Sequence, residues 1–277
     1  MPLVVCATPI GNLEDVTLRV LRELGEADAV LCEDTRRTRI LLDRHGVEAR
    51  ALVSYHRHNE EARIAELLPR LEAGERLALA SDAGLPGVND PGARLIAAAL
   101  EHGLEVTVLP GPSAVETALV ASGLVGERFT FLGYLPRRAA ERERLWEELA
   151  GWTWPAVAFE SPRRLPGSLA SLAAAQPERP VAVCRELTKR FEEVVRGPAA
   201  EVADRFREAP KGEVTLVLGA AAPAPVSDAG DAVAAVAELV AAGLPRRRAA
   251  DLVSRLTSAP RNKLYRDSLG TPTRRPT

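Results

Sequence analysis

The stretch Leu77–Glu101, LALASDAGLPGVNDPGARLIAAALE, carries one complete strand-to-helix unit of the fold. Leu77–Ala80 is a short apolar run typical of a buried strand, and Ala93–Glu101 has the composition of a helix. The loop between them is punctuated by glycines and prolines and contains Asp82 and Asp90. This order predicts a strand followed by a crossover helix, the repeating unit of a parallel sheet.

The same alternation continues on both sides of that stretch through the first 110 residues. Further strands are predicted at Leu3–Ala7, Ala29–Cys32, Leu52–Tyr55 and Val106–Leu109. Helices are predicted from near Asp15, over Thr35–His45 with Thr35 as a possible cap, and from the cap Asn59 to Gly74. The first half is therefore expected to form a mostly parallel sheet covered by helices.

The second half alternates less regularly, and some of its strands are only a few residues apart, which favours hairpins and a mixed sheet. A small-residue segment with prolines then precedes three short helical patterns. We therefore predict an α/β fold of two α/β lobes with a cleft between them and a small C-terminal helical module. The predicted parts are an N-terminal lobe 1–112, a C-terminal lobe 113–220, a linker 221–230, a basic helix-turn-helix-like module 231–270 and a tail 271–277.

Composition excludes several classes of protein. The 277 residues are 46% hydrophobic and 27% charged, which excludes disordered, collagen-like and disulfide-framework chains. No apolar run approaches the roughly 20 residues of a membrane helix, so no membrane partner is expected. Cys6, Cys32 and Cys184 lie far apart in apolar strands, which predicts reduced thiols and a cytoplasmic protein.

Charge is distributed unevenly along the chain. The net charge is −2, yet the segment from Pro245 to the end holds nine basic and two acidic residues. A basic terminus on an acidic body is typical of an appendage that binds polyanions, although a solvated basic helix with a frayed tail would give the same charge.

Several common sites are missing from the sequence. It has neither a G-x-G dinucleotide fingerprint, nor a G-x-x-x-x-G-K-[ST] phosphate loop, nor a G-x-S-x-G nucleophile elbow. The three cysteines and four histidines show no zinc spacing, so no metal is expected. His56-Arg57-His58 is interpreted as a polar surface turn.

Three loops with glycine and proline follow predicted strands at what should be one edge of the sheet. They are Thr8–Leu13, Ser81–Gly92 and Pro110–Ala114. Glycine allows the backbone to approach a ligand closely, and ligands of open α/β sheets bind beyond the carboxyl ends of the strands. Each loop alone could be a tight turn, but three at one edge favour a ligand cleft.

Charged residues cluster in other loops. Cys32-Glu33-Asp34-Thr35-Arg36-Arg37 places acids beside paired arginines, which either pair with each other or hold a phosphodiester and a hydroxyl. Arginine-rich loops recur at 136–138, 160–164 and 185–190, which predicts a basic rim around the cleft or a merely solvated surface.

These motifs together resemble the tetrapyrrole methylase family, and within it the branch of small-subunit (16S) ribosomal RNA (cytidine-2′-O)-methyltransferases. The residues that carry the resemblance are T-P-I-G-N-L, C-E-D-T-R, S-D-A-G-x-P-x-x-x-D-P-G, P-G-P-S-A, E-S-P-R-R and R-E-L-T-K, in consistent order over about residues 1–270. The resemblance implies S-adenosylmethionine bound between the two lobes of a homodimeric enzyme. The residues it implies for cofactor binding are Pro9, Asp82, Gly84, Leu85, Ser113 and Ala114 in the first part, with Phe159, Leu187 and Thr215 in the second lobe.

Methyl transfer to a ribose hydroxyl benefits from a carboxylate that accepts the hydroxyl proton. We nominate Asp34 first, then Glu33 and Asp90, with Arg36 holding the adjacent phosphate. The residues expected to contact RNA are Arg37, Arg137, Arg163, Arg246, Arg247 and Arg248.

Other functions remain open at this point. An enzyme of the same fold could methylate a corrin precursor or a protein side chain, although the C-E-D-T-R segment and the basic module argue against both. A non-catalytic helix-turn-helix regulator that senses a ligand is the alternative from another class.

Overall fold

The structure, a computed structural model, describes residues 2–221, 229–257 and 259–269. The chain divides into two compact units. Described residues up to 147 together with 154–220 form the first, and residues 148–153 together with the described residues after 220 form the second. Residues 222–228 of the predicted linker, residue 270 of the predicted module and the whole predicted tail 271–277 lie outside the described residues.

The first lobe of the larger unit is built on five parallel strands. These are β1 (Leu3–Cys6), β2 (Ala29–Cys32), β3 (Leu52–Ser54), β4 (Leu77–Ala80) and β5 (Val106–Leu109), in the order β3-β2-β4-β1-β5. Its helices are α1 (Leu18–Glu26), α2 (Thr35–Arg44), α3 (Glu60–Glu72) and α4 (Ala93–Glu101). The predicted parallel sheet covered by helices is confirmed.

Side-chain alternation along β1 explains why this sheet has helices on both faces. Leu3 and Val5 are buried with Leu67 of α3, whereas Val4 is buried on the opposite face with Leu24 of α1. A strand that is apolar at every position has to be covered on both sides, which is the usual arrangement of a parallel sheet.

The second lobe contains the mixed sheet that the short strand spacing predicted. Its elements are α5 (Ala114–Ser122), β6 (Thr130–Tyr134), α6 (Ala139–Leu149), β7 (Ala156–Glu160), α7 (Leu165–Ala175), β8 (Pro180–Arg185), β9 (Glu193–Pro198), α8 (Ala199–Arg205) and β10 (Val214–Leu218). The strand order is β6-β7-β10-β8-β9, with β6 parallel to β7 and the other pairs antiparallel. Cys6, Cys32 and Cys184 are buried free thiols, as predicted.

One predicted helix cap differs from the structure, and the other is confirmed in its position but not in a side-chain contact. Asp34, not Thr35, caps α2, because its carboxylate accepts the backbone N–H of Arg36 at 2.9 Å and Thr35 is already helical. Asn59 precedes α3 but its side chain does not cap it. The Asn59 amide instead accepts the N–H of His56 at 2.8 Å and donates to the carbonyl of Ser54 at 3.0 Å.

The described part of the smaller unit after residue 220 forms three helices, α9 (Ala229–Ala241), α10 (Arg246–Thr257) and α11 (Arg261–Asp267). Val236 of α9, Ala250 and Val253 of α10 and Leu264 of α11 share one small core. Across the described ranges, none of the helices combines the length and the apolarity that crossing a bilayer requires.

Candidate active site

A large cavity, here called the main cavity, lies where the loops that follow the first lobe's strands face the second lobe. Its volume is about 1180 Å³. The carboxyl ends of all parallel strands meet at one edge of the first sheet, so the loops after β2, β4 and β5 contribute to a single surface. The second lobe contributes Phe131, Phe159 and Leu187 to the opposite wall.

Most residues nominated for cofactor binding line this cavity. They are Asp82, Gly84, Leu85, Ser113, Ala114, Phe159, Leu187 and Thr215. Pro9 instead lines a smaller neighbouring cavity of about 280 Å³, which shares Asp82 and Arg37 with the main cavity. The structure therefore brings together loops that are far apart in sequence.

The loop after β4 is fixed to the loop after β1 by the backbone. The N–H of Thr8 donates to the carbonyl of Gly84 at 2.8 Å, and the N–H of Gly84 donates back to the carbonyl of Thr8 at 3.0 Å. Gly84 makes this pairing at a φ of 78°, a conformation that glycine adopts without steric cost. These two hydrogen bonds fix the backbone of the loop after β4 where it lines the main cavity.

A loop of the second lobe, Arg185–Lys189, packs against the loop after β1. Glu186 and Thr188 both have positive φ values, 51° and 65°, which are uncommon outside glycine. The Thr188 hydroxyl accepts the N–H of Asn12 at 2.9 Å, so this strained loop joins the two lobes beside the main cavity.

The same loop was expected to be part of a basic rim or of a solvated surface, and two of its cations are paired with carboxylates. Arg185 lies 3.2 Å from a carboxylate oxygen of Glu193. Lys189 lies 3.0 Å from Glu186 and 2.8 Å from Glu213. Because these cations are paired within the lobe, they stabilise the loop rather than present unpaired charge.

Two carboxylates in the main cavity have the properties of proton acceptors. Burial is the largest cause, and the negative charge of Glu33 the second, of a rise in the pKa of Asp90 to about 6. Burial, followed by the charge of Asp82, raises the pKa of Glu33. Glu33 Oε1 is buried and has no hydrogen-bond partner among the described residues, although the side chain lines the cavity. A pKa near the working pH suits a general base.

Asp34 is in a different situation from its neighbour Glu33. Arg36 Nε donates to Oδ1 at 3.0 Å and Nη2 donates to Oδ2 at 2.8 Å, and Asp34 is not among the residues that line the cavity. The hydrogen bonds from the Arg36 side chain, then from its backbone N–H, lower the pKa of Asp34 to about 2. These contacts favour Asp90 and Glu33 over Asp34 as proton acceptors.

Some of the arginines nominated for RNA contact are exposed, and others contact groups of the protein itself. Arg37 lines the main cavity 3.4 Å from Asp82, and Arg137 and Arg163 are exposed. In the smaller unit Arg247 and Arg248 are also exposed. Arg246 is half-buried, and its guanidinium donates to the carbonyl of Ser268, the residue that follows α11. This hydrogen bond stabilises the helical module itself.

Aromatic side chains of the second lobe form a wall in which the sequence analysis nominated Phe159 but not Phe131 or Tyr134. The Phe131 and Phe159 ring centroids are 5.0 Å apart, and the Tyr134 centroid lies 5.5 Å from that of Phe159. Tyr134 is 60% exposed although it lines the cavity. The closely spaced aromatics of Phe129–Tyr134 were the signal that could have identified this wall.

Comparison with known proteins decides the family. The family model described as Tetrapyrrole (Corrin/Porphyrin) Methylases matches residues 2–203. The chain belongs to the tetrapyrrole methylase family.

Two relatives match this tetrapyrrole methylase along nearly its whole length. "Ribosomal RNA small subunit methyltransferase I" of Mesorhizobium japonicum is 43% identical, with 95% of this chain and 90% of the relative covered. The protein of the same name from Synechocystis is 40% identical, with 96% of this chain and 97% of the relative covered.

Solved structures show the same fold at lower identity. The methyltransferase CobJ is 21% identical with a TM-score of 0.62, over 80% of this chain and 95% of that one. Uroporphyrin-III C-methyl transferase from Thermus thermophilus, solved with S-adenosyl homocysteine, is 21% identical with a TM-score of 0.56, over 79% of this chain and 97% of that one. This tetrapyrrole methylase therefore has the two-lobed fold of its family.

Proposed function

We propose that this chain is a methyltransferase that uses S-adenosylmethionine to methylate the ribose 2′-hydroxyl of a cytidine in small-subunit (16S) ribosomal RNA. The observation that carries the proposal is the relatives' coverage, which at 40–43% identity extends over 95–96% of this chain, well past the family model's end at residue 203. Those relatives act, by their name, on the RNA of the small ribosomal subunit.

The main cavity fits the proposed cofactor in size and in chemistry. At about 1180 Å³ it is somewhat larger than an ordinary ligand pocket of about 300–1000 Å³, which leaves room for part of the acceptor. The carboxylates of Asp82, Asp90 and Glu33 suit hydroxyl and cationic groups. Leu85 and the Phe131–Phe159 pair provide apolar walls for a flat ring.

The residues proposed to hold the cofactor are Pro9, Asp82, Gly84, Leu85, Ser113, Ala114, Phe159, Leu187 and Thr215. When bound, S-adenosylmethionine supplies a methyl group on a positively charged sulfur. The protein's own contribution is then alignment and exclusion of water. Hydrogen bonds fix the walls that align the cofactor. Two join the backbones of Thr8 and Gly84, and one joins the N–H of Asn12 to the hydroxyl of Thr188.

Asp90 is the proposed acceptor of the hydroxyl proton, with Glu33 beside it. Burial and neighbouring negative charge raise the pKa of both carboxyls, so both are stronger bases than exposed carboxylates. Asp34 has a different role in this proposal: it orients the guanidinium of Arg36, whose side chain is 87% exposed and accessible to RNA. Arg36 then holds a phosphate.

The acceptor RNA would be held mainly through its phosphates. Exposed Arg137 and Arg163 in the second lobe, together with Arg37, are the proposed contacts near the site. Arg247 and Arg248 are the proposed contacts of the helical module. Such contacts are weakly sequence-specific, so the choice of cytidine rests on RNA shape and on an unstacked base.

The proposal extends to a homodimer acting in the cytoplasm. Two exposed apolar side chains support the dimer: Val108 of the edge strand β5 is 50% exposed, and Val120 of α5 is 70% exposed. The three free buried thiols suit a reducing compartment. Light scattering of the purified protein at several concentrations tests the dimer, and a monomer at all of them would contradict it.

The deciding experiment is transfer of a tritiated methyl group from S-adenosylmethionine to purified small subunits that lack the modification. Free ribosomal RNA is assayed in parallel, and the product is mapped by nuclease protection and mass spectrometry. One 2′-O-methylcytidine is the expected product. Cofactor binding without label in RNA would contradict the proposed acceptor and would direct the search to corrin precursors or protein side chains.

A further inference from the structure

The segment Tyr55–Glu60, directly after β3, holds both ends of the turn that carries Asp90. The turn is Asn89–Gly92, here called the Asp90 turn. Arg57 Nη2 donates to the carbonyl of Asn89, and Glu60 Oε1 accepts the N–H of Gly92 at 3.2 Å. Asp90 therefore lies between two backbone groups that are both bound by side chains of one segment.

The anchoring segment is itself fixed to the core of the first lobe. Glu60 is 8% exposed, and Oε1 also accepts the hydroxyl of Tyr55, which is 1% exposed, at 2.8 Å. The Asn59 amide closes the turn before α3 through His56 and Ser54. A buried carboxylate that accepts two hydrogen bonds is expensive to displace, so Glu60 is a rigid support.

The Asp90 turn needs such support because its backbone is unusual. Asn89 has a φ of 62° and Gly92 a φ of 127°. A Cβ atom at Gly92 would lie 2.8 Å from Leu79 Cδ2, so the turn is packed directly onto β4. On its other side Asn89 reaches the second lobe, since a Cβ at Gly133 would lie 3.2 Å from Asn89 Oδ1.

We propose that Arg57 and Glu60 are positioning residues of the methyl-transfer site, which hold Asp90 in the main cavity from both ends of its turn. The sequence analysis interpreted His56-Arg57-His58 as a surface turn, and the structure gives the central residue of that triplet a contact at the site. The inference rests on the proposed function, in which Asp90 accepts the hydroxyl proton.

Arg57 also acts on Asp90 through its charge. The groups that face Asp90 are Glu33 after β2, Arg57 after β3, Asp82 after β4 and Tyr134 at the end of β6. Burial, Glu33 and Asp82 all raise the pKa of Asp90, and Arg57 lowers it. Without the guanidinium, Asp90 would hold its proton to a higher pH and would be a base only in more alkaline solution.

The test compares pH profiles of kcat for the full-length wild type, Arg57→Gln, Arg57→Lys and the control Arg39→Gln, in which an exposed arginine of α2 is neutralised. Arg57→Gln should move the acid limb upward by about half a pH unit or more. Arg57→Lys keeps the charge, so its limb should stay near that of the wild type. An acid limb in Arg57→Gln equal to that of Arg39→Gln would overturn the inference.

A second pair of variants tests Glu60. Glu60→Gln retains an oxygen that can accept both hydrogen bonds and should keep kcat within a few-fold of wild type. Glu60→Ala should lower kcat at least tenfold with little change in the KM for S-adenosylmethionine. Equal kcat values for the two variants would contradict a positioning role. So would a rise in the KM for S-adenosylmethionine of Glu60→Ala that is as large as its loss of kcat.

A titration without substrate separates this inference from the proposed function. Carboxyl ¹³C shifts of aspartate-labelled protein, with Asp90 assigned from Asp90→Asn, give its midpoint directly. A higher midpoint in Arg57→Gln than in wild type supports the inference, and identical midpoints overturn it. If the wild type transfers no methyl group to RNA, the proposed function fails, while these midpoints still decide whether Arg57 sets the ionisation of Asp90.

Discussion

Arg36 binds both carboxylate oxygens of Asp34, with Nε 3.0 Å from Oδ1 and Nη2 2.8 Å from Oδ2. The two residues are neighbours across the start of α2, where Asp34 also caps the helix. A carboxylate that caps a helix and is paired in this way is a strong hydrogen-bond acceptor for its partners and a weak base, because its pKa is lowered to about 2.

The first prediction follows from that pair. Asp90→Asn should reduce the kcat of methyl transfer by about 10²–10⁴-fold, the usual contribution of a general base. Asp34→Asn should reduce it less than tenfold, because the amide can still accept from the Arg36 backbone. Steady-state transfer to small subunits measures kcat for both variants, with cofactor affinity by calorimetry as the control. A larger loss in Asp34→Asn would restore Asp34 as the base, as the sequence alone suggested.

The second prediction concerns pH. Because the pKa of Asp90 is raised to about 6, kcat should rise with pH up to about that value and then level off. A profile that is flat from pH 5 to 8 would remove Asp90 from the proton transfer.

The raised pKa of Asp90 also has a consequence for stability. The folded protein holds the Asp90 proton between its unfolded pKa of 3.8 and about 6, so this group favours folding below pH 4 and loses that contribution as pH rises through 6. Asp90→Asn should therefore be at least as stable as wild type at pH 7.5, and its relative advantage should shrink below pH 4. Thermal unfolding at the two pH values measures this, and a lower Tm for the variant at pH 7.5 would contradict it.

The third prediction concerns the contact between the two lobes. A Cβ at Gly11 would lie 2.6 Å from Lys189 Cγ and 2.9 Å from the carbonyl oxygen of Leu187. Gly11→Ala must therefore displace the loop that carries Leu187, and we expect cofactor affinity to fall at least tenfold. Gly167→Ala, in α7 with nothing within 4 Å of its Cβ, is the matched control and should bind normally. Equal affinities would show that the loop adapts without cost to the site.

The fourth prediction separates the arginines of the helical module. Arg247→Ala with Arg248→Ala should reduce the slope of log K against log salt for RNA binding by about 0.7–0.9 for each phosphate that the variant no longer neutralises. Arg246→Ala should leave that slope nearly unchanged and lower the stability of the module, because Arg246 bonds the carbonyl of Ser268. Arg19→Ala, an exposed change on α1, serves as the control. The same slope change in all three proteins would refute specific contacts by Arg247 and Arg248.

Local patterns in the sequence determined most of the fold. Apolar runs such as Leu77–Ala80, followed by a loop rich in glycine and proline, identified the strands, because both faces of each had to be buried. The loops after β1, β4 and β5 were also identifiable as one ligand edge, since the carboxyl ends of parallel strands coincide. The family motifs placed Asp82, Gly84 and Ser113 in the cavity for the same reason.

Only the tertiary structure decided which charged residues face the cavity and which form ion pairs away from it. Glu33 and Asp34 are adjacent in sequence, yet Glu33 lines the cavity and, among the described residues, its buried Oε1 has no partner, whereas Asp34 is bound by Arg36. Arg57 contacts Asn89 across 32 positions of sequence, and no spacing rule predicts that contact. Ionisation depends on burial and on the charges nearby in space. The sequence therefore predicted which loops line the cavity, and packing set the carboxylate pKa values on which the proposal of Asp90 as the base rests.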